Sequence, residues 1–343
     1  MAKTVTKCLK LVLRQHRLYC RVIERRTQVK RMWIIDNSES VLQNTEMLKE
    51  EHTANIYIYD FSTLYTNIPH EDLKHGLKWV VEKVFSDSPN KRMYVNKHGA
   101  SWRKSKGKKN KQQAYSKEEI LNMIYFLIDN SFIKVGNHIF KQIRGISMGT
   151  SCSPFLANLY LYALEFDFLD KLTKSNIHEA RKFRHMFRYI DDLLCLNNDK
   201  LLSKYIHEIY PKELILNRTN EHEKACTFLD INMDIRERQI HTQLYDKRDD
   251  FKFQIVSFPQ MSGNIHFKRT HGVFVSQLIR YSRVYMDRKG FMDRTKRLAK
   301  QLIRQGFAER LLKIKFSYFF DKHFHLVEKY DISKKECMQH IFL

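Results

Sequence analysis

Two rhythms of hydrophobic and polar positions run through this chain, one near 3.6 residues and one of two, and each marks a different kind of element. Residues 1 to about 34 are helical in tendency and basic, with Arg21, Arg25, Arg26, Lys30 and Arg31 on a solvated helix face. Residues 37–42 read as a cap and the start of a short helix with Val41, Leu42 and Met47 inward. Ile56, Tyr57, Ile58 and Tyr59 predict a strand buried on both faces, and Asp60 arrives at its C-terminal end. Pro69 suits a first helical position, Glu71 and Asp72 favour the positive end of the helix dipole, and Leu73, Leu77, Val80, Val81 and Val84 form an apolar stripe.

Further along, residues 117–129 predict a helix with Ile120, Ile124, Leu127 and Ile128 inward. Residues 132–135 and 138–143 predict a hairpin around Gly136 and Asn137. Residues 144–154 are a Gly- and Ser-rich turn that opens a long apolar helix from Pro154 to about Leu172; small residues there let backbone approach a ligand closely. Residues 201–210 read as a helix, and residues 227–235 as a strand pairing with 239–245. From about Lys268 onward a basic face alternates with a seam that includes Leu278, Leu298 and Leu302, the pattern of a cationic helical lobe.

The most informative stretch is Met186 to Leu196, which reads as strand, tight turn, strand with Asp191 and Asp192 at the tip. Two like charges beside apolar strands repel each other and lose hydration, so a divalent cation or cationic partner is expected there. A solvated Asp-Asp turn is the plain alternative.

Composition narrows the partners. The chain has 343 residues, 43% of them hydrophobic, which suits a globular protein of one large or several smaller lobes. Its formal charge of +23, spread along the whole length, calls for a polyanion, with nucleic acid the leading candidate and no membrane association expected. The six cysteines are far apart and without C-x-x-C pairs, as expected of reduced intracellular thiols. The basic stretch 103–111 has the composition of a nuclear-import signal, a phosphate-tracking loop or a merely solvated loop, and the residues alone leave all three open.

Taken in order, Asp60-Phe-Ser-Thr-Leu-Tyr65, Gly145-Ile-Ser-Met-Gly-Thr-Ser-Cys-Ser-Pro154 and Tyr189-Ile-Asp-Asp192 resemble the motifs of reverse transcriptases, and their wording is most similar to the Penelope-like retroelement branch. The likeness runs from about Met32 to Leu312. It implies an α+β right-hand polymerase palm, an antiparallel sheet with packed helices, with reduced fingers and a helical thumb. Residues 1–54 would be a basic N-terminal segment and fingers remnant, 55–250 the palm with a fingers-like insertion around 86–144, and 251–343 the thumb-like region.

The resemblance also assigns roles. Asp60, Asp191 and Asp192 would be catalytic, with the Phe61 carbonyl joining them as ligands to two Mg²⁺ ions that Mn²⁺ could replace. Tyr65 would exclude a 2′-hydroxyl, and Met148 and Gly149 would face the nucleotide; Met148 stands where many relatives carry Gln. Ser153 and Pro154, with Phe228, Leu229 and Asp230, would touch template and primer, and Lys224 would be the general acid candidate. The implied partners are an RNA template, a DNA primer or RNA–DNA hybrid, and dNTPs. A rival of another class is a reverse-transcriptase-derived protein that binds nucleic acid without catalysis: the three carboxylates favour the enzyme, and the 59 residues before Asp60, few for a fingers region, favour the rival.

Overall fold

Helix α1 (Ala2–Thr27) buries Val5, Leu9, Val12, Leu13, His16 and Cys20 on one stripe and turns its arginines outward. It packs against α4 (His70–Ser86), α5 (Lys117–Asp129) and α6 (Ser153–Ser175). The computed structural model describes every residue except 48–54, 89–90, 105–111, 198, 254, 256, 265 and 267–269. Their chain divides into two units, one of Met1–Ile35 with Tyr57–Thr219 and one of Asp36–Ile56 with Asn220–Leu343.

In the first unit, α6 is apolar around most of its circumference and burial follows: Leu156, Leu159, Tyr160, Tyr162, Phe166, Phe168 and Leu169 are all within the core. A four-stranded sheet lies in the order β7 (Met186–Tyr189), β8 (Asp192–Leu196), β1 (Ile56–Phe61), β9 (Leu216–Arg218). The β7–β8 and β1–β9 pairs are antiparallel. The three-residue β9 is too short to carry a readable alternation, yet it sets Asn217 directly opposite Asp60. Pro69 precedes α4 as its cap and is not its first residue, while the apolar stripe is buried as expected.

The hairpin β5 (Phe132–Val135) and β6 (His138–Lys141) turns on Gly136 at φ 60°, which a glycine adopts without strain. Helix α5 begins at a reciprocal capping box between Ser116 and Glu119. Its inward residues include Leu121 as well as Ile120, Ile124 and Ile128, with Leu127 only half-buried. Between α4 and α5 the chain adds a small sheet, β3 (Ala100–Ser101), β2 (Met93–Val95) and β4 (Gln113–Tyr115), whose strands are too short for sequence periodicity to announce. Most of the basic stretch 103–111 lies outside the described residues. Helix α7 (Ile177–Arg181) follows α6, and α8 (Asp199–Ile209) follows β8 over the helix expected at 201–210.

His16 is a polar group inside this core. Its Nε2–H donates to the Val80 carbonyl at 2.8 Å and its Nδ1 accepts from the Tyr162 hydroxyl at 3.1 Å, a pairing that needs the neutral ring. Burial accordingly lowers its pKa to about 4. A depressed histidine pKa means that the unfolded chain binds the proton first, so stability is full above pH 6.5 and is lost as pH falls towards 4. Up to ~3 kcal/mol is at stake over that window, from ~1.4 kcal/mol per pKa unit. His16→Gln is expected to flatten the difference in urea unfolding between pH 7 and pH 4.5; an unchanged slope would show the ring to be protonated in the fold.

The second unit opens with α2 (Glu39–Met47), whose side chain at Met47 lies outside the described set, while Val41 and Leu42 are buried. Residues 227–235 do not form one strand: the chain turns at Leu229 (φ 55°) and Asp230, giving a three-stranded sheet β10 (Ala225–Phe228), β11 (Ile231–Arg236), β12 (Gln239–Leu244). The apolar run concealed this because both arms of the hairpin are apolar. Helices α9 (Gly272–Val284), α10 (Arg288–Arg304), α11 (Glu309–Lys322), α12 (Phe324–Val327) and α13 (Lys334–Phe342) follow, packed around Phe274, Leu278, Phe291, Leu302, Phe316 and Phe319. The six cysteines are free thiols, and no described helix is long and apolar enough to cross a membrane.

Candidate active site

Strand β1 delivers Asp60 near its end, where the chain leaves the sheet for the short helix α3 (Leu64–Asn67). The hairpin turn between β7 and β8 stands beside it: the Phe61 amide donates to the Asp191 carbonyl at 3.3 Å. The turn itself consists of Ile190 and Asp191. Asp192 is not at the tip but is the first residue of β8, paired with Tyr189. The two adjacent acids therefore leave the backbone in different directions, one from the turn and one from the strand.

Their electrostatics place the three carboxyls in one neighbourhood. Burial first, and then the neighbouring Asp191 and Asp60, together push the Asp192 carboxyl up to about 6. Asp60 is raised by burial and by Asp191, and the Tyr65 phenol by burial, Asp191 and Tyr189. Asp60, Asp191 and Asp192 have no ion-pair partner among the described residues. This is unbalanced negative charge on hard oxygen donors, a set that suits Mg²⁺. No group of three or more His, Cys, Asp or Glu among the described residues closes around one point as a metal cage. Mg²⁺ keeps several waters and takes one or two carboxylates with substrate phosphates, so an open acidic edge is compatible with it.

The turn rests on a buried cation that sequence reading passed over. Arg188, fully buried in β7, donates from Nε to Glu165 Oε1 at 2.5 Å and from Nη2 to Glu165 Oε2 at 3.1 Å. Its Nη1 donates to Asn158 Oδ1 at 2.7 Å and to the Ile190 carbonyl at 3.0 Å. Ile190 holds φ 55°, costly for a β-branched residue, so Arg188 fixes the carbonyl of a strained turn residue directly before Asp191. Glu165 also accepts from the Tyr210 hydroxyl at 2.9 Å; burial pushes its carboxyl up and Arg188 opposes the shift. The available signal was a lone arginine between Phe187 and Tyr189 in an otherwise apolar strand.

A second turn locks onto α3 and the residue that follows it. Gly145, at φ 82°, donates its amide to the Ile68 carbonyl at 2.8 Å, and Ile146 donates to the Tyr65 carbonyl at 2.7 Å. A Cβ on Gly145 would stand 2.3 Å from the Tyr65 carbonyl oxygen, so only glycine fits. Beyond it, Met148 is 72% exposed and Gly149 is open to solvent. Ser153 is fully buried, its hydroxyl donating to the Ser147 carbonyl and lying 2.6 Å from Thr150 Oγ1; Pro154 sits half-buried in the first turn of α6.

The first unit thus gathers Asp60, Phe61, Tyr65, Asp191 and Asp192, with the Gly145 turn bonded to the Tyr65 backbone. Phe228, Leu229, Asp230 and Lys224 belong to the second unit. There Phe228 is buried, Lys224 is exposed, and Asp230 accepts from Ser38 Oγ at 2.5 Å and Arg280 Nε at 2.8 Å. Lys30 and Arg31, basic residues ahead of β1, are already engaged: Lys30 donates to the Met186 carbonyl at 2.8 Å and Arg31 pairs with Asp170 at 2.6 Å.

No protein-family model and no curated protein matches this chain. Solved structures do. Telomerase from Candida albicans, in complex with the TWJ fragment of telomeric RNA, superposes with a TM-score of 0.60 at 16% identity, over 99% of this chain and 51% of its own. Apo telomerase from Candida tropicalis superposes with a TM-score of 0.51 at 14% identity, over 98% of this chain and 52% of its own. The chain has an α+β fold similar to that of these telomerases, and it spans about half their length.

Proposed function

We propose that this chain is an RNA-directed DNA polymerase that adds dNTPs to a primer 3′ end, of a type similar to Penelope-like reverse transcriptases. The observation that carries the reading is that Asp60 at the end of β1 and the Asp191–Asp192 pair at the start of β8, far apart in sequence, meet at adjoining ends of the two inner strands of one sheet, close enough for Asp191 to raise both Asp60 and Asp192, in a telomerase-like fold. In this reading residues 55–250 act as the palm, with a fingers-like insertion around 86–144, residues 1–54 as a fingers remnant and 251–343 as the thumb. RNA bound to the Candida albicans neighbour and the +23 charge both support an RNA template as partner.

Asp60, Asp191 and the Phe61 carbonyl would hold two Mg²⁺ ions with Asp192 supporting them, and the ions when bound supply the Lewis acidity that activates a 3′-hydroxyl and stabilises the pyrophosphate leaving group. The chain's own part is positional. Arg188 and Glu165 hold the turn that presents Asp191, and the Gly145 turn holds the backbone behind Tyr65. Met148, Gly149, Ser153 and Pro154 would form the turn beneath the templating pair, Phe228 to Asp230 would steady the primer, and Lys224 would protonate pyrophosphate.

Tyr65, half-buried beside Asp191, would occupy the space of a ribose 2′-hydroxyl. Tyr65→Ala is expected to raise the use of rNTPs relative to dNTPs by roughly 10- to 100-fold, the scale for opening a pocket by one group. Equal discrimination in variant and wild type would remove Tyr65 from that role. The reading as a whole is tested by primer extension on poly(rA)/oligo(dT) with Mg²⁺: extension with dTTP supports a polymerase, and tight duplex binding with no extension supports a non-catalytic binding protein.

A further inference from the structure

A cavity of about 470 Å³ opens in the second unit between the segment that follows β12 and helices α9 and α10. It uses none of the three carboxylates. Its volume is that of a small-ligand pocket. One wall is aromatic: Phe251 is 46% and Phe253 66% exposed, with rings 5.4 Å apart, and Phe258 and Tyr281 continue the lining. Phenylalanine is ordinarily buried, so two neighbouring rings left to solvent inside one concavity need a reason.

The opposite rim is cationic, and only part of that charge is balanced. Arg294 is neutralised by Asp246 at 2.7 Å and Asp249 at 2.5 Å, and Arg248 by Asp246 at 2.7 Å. Lys300 and Arg304 line the cavity with no ion-pair partner among the described residues, and Arg297 has only a 3.7 Å contact with Asp249. These three project from α10 at helical spacings of three and four, so they share a face.

We infer that this cavity is a binding site for an unpaired nucleotide, its base stacked on one of the two exposed rings, Phe251 or Phe253, which are tilted 53° to each other, and its phosphate held by Lys300, Arg304 and Arg297. A duplex presents phosphates but hides its bases, and would leave the two rings unused. An unpaired nucleotide uses both halves of the site, because stacking on aromatic faces and a cationic rim are the two devices by which single strands are held. The ligand is either a free nucleoside monophosphate or one unit of a single strand, since both offer the same base and phosphate. The inference goes beyond the polymerase reading and does not depend on it.

The test uses the full wild-type chain with no dNTP present and a fluorescein-labelled oligo(dT) hexamer carrying one 4-thiothymidine. Ultraviolet crosslinking followed by peptide mapping is expected to mark residues within 247–258 or α10. Phe253→Ala combined with Arg304→Gln is expected to weaken hexamer binding at least tenfold by anisotropy, the effect of losing a stacked base and a phosphate contact. Both positions are exposed, so an unchanged melting temperature confirms that the fold is kept. Competition by UMP assigns the site to free nucleotides, and its absence with tight hexamer binding assigns it to a strand; either supports the inference. Crosslinks confined to the first unit, unchanged affinity in the double variant, a blunt duplex losing affinity in it as strongly as the hexamer, or displacement of the hexamer from the site by poly-glutamate would overturn it. None of these outcomes bears on whether the wild-type chain extends a primer.

Discussion

Asp191→Asn is expected to lower primer extension by on the order of 10³-fold while leaving the protein folded and able to bind duplex. Asparagine keeps the shape of the side chain but loses the anionic oxygen, and in the proposed reading, where Asp191 would be a ligand shared by two cations, its removal would cost several kcal/mol of transition-state stabilisation, ~4 kcal/mol for a thousandfold. The backbone bond from the Phe61 amide to the residue 191 carbonyl is untouched. Charge removal also relieves repulsion, because Asp191 is one of the groups that raise Asp60 and Asp192 towards the neutral form. The melting temperature without Mg²⁺ should therefore hold or rise slightly, and the carboxyls of Asp60 and Asp192 should titrate at lower pH. Wild-type extension rates in the variant would end the polymerase reading. A wild-type chain that binds duplex and never extends it would leave the non-catalytic protein as the account of the fold.

Arg188→Met should strongly destabilise the first unit. It strands the Glu165 carboxylate, fully buried, with only the Tyr210 hydroxyl as partner. Breaking a buried pair by removing one member costs about 3–5 kcal/mol, because the remaining charge is uncompensated. For a unit of this size that is roughly 10 °C in melting temperature. The double variant Arg188→Met with Glu165→Leu separates stability from function. Replacing both charges with apolar groups is often close to neutral, so most of the melting temperature should return. Extension should stay reduced, because the Ile190 carbonyl has lost its donor and the turn carrying Asp191 is free to leave its φ 55° conformation. Full activity in the double variant would show that Arg188 serves the core alone.

These two expectations also mark how far the residues could be read in advance. Asp60 at the end of a strand and Asp191 in a hairpin turn were legible because local patterns settle them: four strand formers in succession, and two apolar arms around a polar pair. The stripe of α4 and the Gly136 hairpin were legible for the same reason. Arg188 was visible but unexplained, since its partner Glu165 lies 23 positions away on a different element. Strand β9, opposite Asp60, consists of three residues and has no periodicity of its own. The turn at Leu229 and Asp230 was hidden by apolar residues on both sides, and the ties of Asp230 to Ser38 and Arg280 join three separate stretches of chain.

Local propensity and charge, which act over a few neighbouring residues, determined that the chain is a basic α+β protein with acids at a strand end and in a hairpin turn. Tertiary packing decided the rest: that the three acids share one electrostatic neighbourhood, that a buried arginine holds a strained turn beneath Asp191, and that only glycine fits at position 145. Those facts depend on contacts between residues far apart in the chain, whose energies come from burial and exclusion of water. No local pattern records them.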